Sequence, residues 1–140
     1  MLKTYHGSCH CKAVTFEADL DLAKGTSRCN CTLCRKLRNW SAQTTPDHFR
    51  LVTGTAELGS FLPDPIRPNA HCFCSRCGIR VFSKGNMPEL GGAFVTVAFG
   101  ALDDATAGEL IAAPLVWCDG LNDNWWKAPA EVRQDRKSVV

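Results

Sequence analysis

Nine cysteines punctuate this chain, and eight of them fall into three tight clusters: Cys9 and Cys11; Cys29, Cys31 and Cys34; Cys72, Cys74 and Cys77. Cys118 stands alone. Nine is odd, so disulfides cannot pair them all. The N-terminus, Met1-Leu2-Lys3-Thr4-Tyr5-His6, has no apolar signal region. In reducing compartments clustered cysteines more often hold metal than each other. A cytoplasmic, zinc-binding protein is therefore expected ahead of a secreted, disulfide-bonded one.

The spacing divides the clusters by role. Cys74-Ser75-Arg76-Cys77-Gly78 has the form of a tight turn that puts two thiolates on one tetrahedral ion, with a glycine free to take the positive φ that follows. Such a pair is half a structural site. Cys9-His10-Cys11 is the obvious donor of the other half, because residues two apart on a strand face the same side. A structural Zn²⁺ on Cys9, Cys11, Cys74 and Cys77 would staple the first strand to a central hairpin. Cys29-Asn30-Cys31-Thr32-Leu33-Cys34 instead offers three thiolates and no obvious fourth. Three protein ligands plus an exchangeable position is the layout of a reactive zinc. Cys72, Cys118, His71 or a bound small molecule remain candidates to close it. Closure by the protein would make this site structural too.

Between the clusters the pattern is β-rich with little helix. Strands are expected at residues 13–18, 40–45, 49–52, 56–62, 71–74, 79–83, 93–99 and 114–118, where β-branched and aromatic residues recur. Short helical turns are expected at 32–38, with Thr32 near the N-cap, and at 106–112, with Asp103 or Asp104 near the start. Pro63, Pro65 and Pro68 mark an exposed loop. The chain has 140 residues, which fits one domain. No run approaches the roughly 18 apolar residues of a membrane span. The net charge is only +2, the basic residues form no long stripe, and no cysteine pair is followed by a histidine pair. Membrane and nucleic-acid partners are therefore not expected.

Gly7-Ser8-Cys9-His10-Cys11, then Cys29 to Lys36, then Phe73-Cys74-Ser75-Arg76-Cys77-Gly78, resemble the three motifs of the glutathione-dependent formaldehyde-activating enzymes, a family that includes centromere-protein-V-like domains. The resemblance runs over residues 5–126, leaving 127–140 as a polar tail. Residues 117–125 look like a bacterial subgroup. The resemblance implies a single-domain, zinc-stapled β fold. It carries the structural role onto Cys9, Cys11, Cys74 and Cys77, and the reactive role onto Cys29, Cys31 and Cys34.

Three thiolates on Zn²⁺ suit a thiol as fourth ligand, since the metal lowers its pKa. A thiolate adds to an aldehyde carbonyl, and the reverse cleaves a carbon–sulfur bond. The expectation is a carbon–sulfur lyase acting on thiol–aldehyde adducts, with glutathione or another thiol as co-substrate. Arg28, Arg35 and Lys36 are candidates to hold an anionic thiol, with Arg38 nearby. His48 and His71 are candidate proton carriers, and Trp40 and Phe61 candidate pocket walls. The alternative is a non-catalytic zinc module that binds a thiol, a metal or a protein.

Overall fold

The structure is a computed structural model and describes residues 1–130. Ten strands form two sheets. Strands β1 (Lys3–Ser8), β2 (Thr15–Leu20) and β5 (Phe49–Thr53) make a three-stranded antiparallel sheet in the order β1-β2-β5. The larger sheet runs β10 (Leu115–Cys118), β3 (Thr26–Cys29), β4 (Ser41–Thr44), β9 (Gly92–Ala98), β8 (Arg80–Met87), β7 (Ala70–Cys74), β6 (Leu58–Phe61). Only β10 and β3 pair in parallel among these strands. Helices α1 (Thr32–Leu37) and α2 (Ala107–Ala112) have six residues each. The expected mainly β fold is thus observed.

The core lies between the sheets. In β2, Phe16, Ala18 and Leu20 alternate with half-exposed residues, so one face is buried. Phe16, Phe49 and Phe82 pack together with ring centroids 4.6–6.3 Å apart. Three glycines lie opposite phenylalanines in the ladders: Gly7 with Phe16, Gly59 with Phe73, Gly85 with Phe94. A Cβ on any of them would stand 2.1–2.6 Å from the ring, so each aromatic ring covers its partner's backbone.

Where the structure departs from the sequence reading, tertiary pairing decides. Lys3–Ser8 is a strand, though only Tyr5 announces it, because it pairs with β2 along its whole length. Thr26–Cys29 is a strand because β10 and β4 flank it. Cys9 and Cys11 are not on a strand; they occupy the turn between β1 and β2. Asp103 and Asp104 do not start α2. Thr106 caps it, in a reciprocal pair with Glu109, while Asp103 and Asp104 bond Ser8 and His6. Most of the expected polar tail lies outside the described residues. Lys127 is tied back, its carbonyl accepting from the Asp119 N–H at 3.2 Å.

The opposite face of the large sheet is polar. Gln43, Thr96, Ser83 and His71 succeed one another across β4, β9, β8 and β7 in one register row. Ser83 and His71 are nonetheless buried, which puts a second, polar interior beneath Trp125 and the 67–69 loop.

Candidate metal centre

Two turns build the first cluster. In the β7–β8 turn the Cys74 N–H donates to Ile79 O at 2.9 Å, the Gly78 N–H donates to Cys74 O at 2.8 Å, and Gly78 takes φ +79°. The β1–β2 turn repeats this scheme: Cys9 N–H to Val14 O at 3.0 Å, Lys12 N–H to Cys9 O at 3.2 Å, and Lys12 at φ 66°. The two turns face each other, bringing together residues 63 apart in sequence. All four sulfurs lie within 4.8 Å of one another, with Cys9–Cys11 at 3.6 Å and Cys11–Cys74 at 3.7 Å. Tetrahedral zinc with Zn–S bonds near 2.3 Å requires S–S separations of about 3.8 Å, so the donor set fits that ion. Backbone N–H groups of Cys11 and Ile79 push the Cys77 pKa down to about 6. Burial opposes ionisation of Cys9, but the Val14 N–H and the neighbouring thiols outweigh it. Both effects favour thiolates.

The second cluster is made by one short segment. Cys29 ends β3, and Cys31 caps α1, its sulfur accepting from the Cys34 N–H at 3.4 Å as a serine or aspartate oxygen would. Cys29 accepts from the Cys31 N–H at 3.4 Å. The three sulfurs lie within 4.8 Å of one another, and no His, Asp, Glu or further Cys among the described residues joins the group. Hydrogen bonds from the Cys29 and Cys34 thiols lower the Cys31 pKa from the usual thiol range, and contacts with Cys29 and Cys31 raise that of Cys34. These three donors also fit zinc, one ligand short of a tetrahedron.

No disulfide joins any of the nine cysteines. The sequence pattern described as glutathione-dependent formaldehyde-activating enzyme matches residues 4–119.

The chain belongs to the glutathione-dependent formaldehyde-activating enzyme family.

The fold agrees with a solved neighbour. A crystal structure of a Rhodobacter sphaeroides protein, a structural genomics target, superposes with a TM-score of 0.65 at 25% identity, covering 79% of this chain and 99% of that one.

In this member of the formaldehyde-activating family the expected site residues separate. Arg28 stacks over Trp40 and Trp117, at 5.2 and 5.9 Å. With Lys12, Lys36 and Arg38 it lines a groove of about 850 Å³. Arg35 is exposed and lines neither this groove nor the cavity described next. Cys72 points into the apolar core. His48 bonds Asp19 at 3.3 Å, beside a separate pocket. Trp40 packs on Phe99 while its Nε1 donates to Thr26, and Phe61 is exposed.

His71 and Cys118 line a cavity of about 220 Å³ onto which Cys29 and Cys34 also open. Sequence reasoning missed Asn39, Arg80, Asn30 and Asp119. Asn39 Nδ2 donates to the Cys34 sulfur at 3.7 Å, and its Oδ1 accepts a short bond from Arg80. Asn30, inside the cysteine motif, donates to Asp119 at 2.7 Å and accepts from the Leu121 N–H at 2.9 Å. That latch sets the 118–125 segment over the cluster. Only Asn30 carried a hint, by standing inside the motif.

Proposed function

We propose that the protein is a carbon–sulfur lyase acting on thiol–aldehyde adducts, with glutathione as the thiol. The observation that carries this is the cluster of Cys29, Cys31 and Cys34, which lies one ligand short beside a cavity. Cys9, Cys11, Cys74 and Cys77 would hold a structural Zn²⁺, and Cys29, Cys31 and Cys34 a second. At such a site zinc lowers the pKa of an incoming thiol, so that it is a thiolate at neutral pH.

The chain's own residues orient the partners. Arg28 and Lys36, in the groove, would take the carboxylates of glutathione, with Arg35 outside it as a weaker contributor. Asn39, clamped by Arg80, fixes Cys34. In cleavage the carbon–sulfur bond breaks, the hydroxyl of the adduct loses its proton as the carbonyl forms, and the sulfur keeps the bonding pair. The reverse adds thiol to aldehyde. His71 is buried beside the cavity and suits the proton's transfer.

Closure of the second cluster by a fourth protein ligand would favour the rival reading, a non-catalytic zinc module. Neither Cys72, Cys118 nor His71 joins the group. Free thiols suit a cytoplasmic setting, and no described helix is long and apolar enough to cross a membrane. The deciding experiment compares adduct formation from glutathione and formaldehyde with and without the zinc-loaded protein. Acceleration beyond the spontaneous rate, lost in Cys31→Ser, supports the lyase; equal rates refute it.

A further inference from the structure

The cavity beside the three-cysteine cluster is built for more than formaldehyde. Three buried side-chain atoms, Asn69 Oδ1, His71 Nδ1 and Arg80 Nε, find no hydrogen-bond partner among the described residues. All three residues line this one cavity. Buried polar atoms are rarely left unsatisfied, so their convergence marks a place where a polar ligand completes the set. His71 is 7% exposed and Ser83, in the same wall, 1%.

The charge balance says which ligand. Among the described residues no Asp or Glu lines the cavity, while Arg80 lies in its wall and Arg67 at its rim. Arg67 has a partner in Asp123 at 3.2 Å. Among the described residues, Arg80 hydrogen-bonds the neutral Asn39 and Ser83 through its two terminal nitrogens, and its charged neighbours are the thiols of Cys34 and Cys72. Arg80 is partly exposed, but its Nε is buried, and a guanidinium so withdrawn from water favours an anion beside it. Three thiolates around zinc leave a net charge near −1 that meets part of this need, but Arg80 Nε still faces no acceptor. Size points the same way. One water needs roughly 10–15 Å³ of such space, so about 220 Å³ exceeds the two heavy atoms of formaldehyde several-fold.

We propose that this cavity binds the carboxylate of a short aldehyde acid, of which glyoxylate is the simplest, with Arg80 as its anchor. The inference rests on the thiol–aldehyde reading above and names its substrate class. The thiolate sulfur bonds the aldehyde carbon, the carbonyl π pair moves onto oxygen, and that oxygen takes up the proton the thiol released. Asn69 Oδ1 is the acceptor for the resulting hydroxyl, and Arg80 and His71 face the carboxylate.

The test uses the zinc-loaded full chain and titration calorimetry without thiol. Glyoxylate is compared with its neutral counterpart, glycolaldehyde. The expected result is a preference for glyoxylate of about tenfold or more, the worth of one charge-assisted hydrogen bond, reduced in Arg80→Gln and partly restored in Arg80→Lys. The wild-type preference needs no variant, so the test survives if Arg80→Gln does not fold. Equal affinity for the two aldehydes overturns the inference, even if formaldehyde adducts are cleaved. Glyoxylate binding with no adduct cleaved sinks the lyase reading and leaves the carboxylate site standing.

Discussion

Gly120 lies so close to Cys29 that a Cβ on it would stand 2.5 Å from the cysteine sulfur and 2.6 Å from the Trp125 ring. The 118–125 segment therefore presses its backbone directly against the second cluster, held there by Asn30 and Asp119. Gly120→Ala should force the two apart. The expected result is loss of the second zinc with the first retained, and a stability cost of about 1–3 kcal/mol from overpacking. Metal analysis of the purified variant, with chemical denaturation, checks both. Full zinc content would show that the segment yields without cost.

The two clusters should respond differently to the same chemical change. Cys77→Ser removes one of the four thiols proposed to bind zinc between the two sheets, so zinc content should fall and stability with it, by roughly 4 kcal/mol or more. Cys31→Ser keeps an N-cap that α1 accepts well. That variant should fold, hold the first zinc and lose thiol binding. If Cys31→Ser unfolds as readily as Cys77→Ser, the division of labour between the clusters is wrong.

The two groupings of thiols were legible because spacing in sequence reports local geometry. Cys74-Ser75-Arg76-Cys77-Gly78 carries its turn in its own residues, and Gly78 takes the positive φ its position called for. Cys29, Cys31 and Cys34 likewise meet through one β3–α1 junction. The cavity was not legible. Asn69 comes from the loop before β7, and His71 and Arg80 from two strands that the ladder of β7 with β8 sets side by side, so no local spacing announces the group. Thr106 and Glu109 did carry a readable capping signal, but Asp103 and Asp104 are equally good caps by residue type. Their contacts with Ser8 and His6 across the fold decided the matter.

Acid should weaken the small sheet through Asp19. Asp19 accepts hydrogen bonds from Arg50, Thr4 and His48, and these hold its pKa well below the usual carboxylate range. A carboxylate lowered in the folded state stabilises above its unfolded pKa of about 3.9 and loses that contribution as pH falls below it. The stability difference between wild type and Asp19→Asn should therefore be constant above about pH 5 and shrink below about pH 4. Taking the difference cancels, to first order, the common effect of protons displacing metal. A difference independent of pH would contradict the assignment.

The Asn30–Asp119 pair gives a prediction that does not involve sulfur. Asp119 is buried and accepts from both Asn30 and Asn122, which lower its pKa. Asp119→Ala leaves Asn30 with an unsatisfied amide and should cost about 1–3 kcal/mol. Fluorescence of Trp117 and Trp125, which flank this segment, should report its release while the first zinc stays bound.

The proposed function needs two metal sites of unequal completeness. X-ray absorption at the zinc edge, with metal quantified per chain before and after adding glutathione, tests it most directly. The predicted result is two zinc ions per chain, one in a four-sulfur shell that glutathione leaves unchanged and one in a three-sulfur shell that gains a sulfur. A single zinc per chain, or two four-sulfur shells that glutathione does not alter, would contradict it.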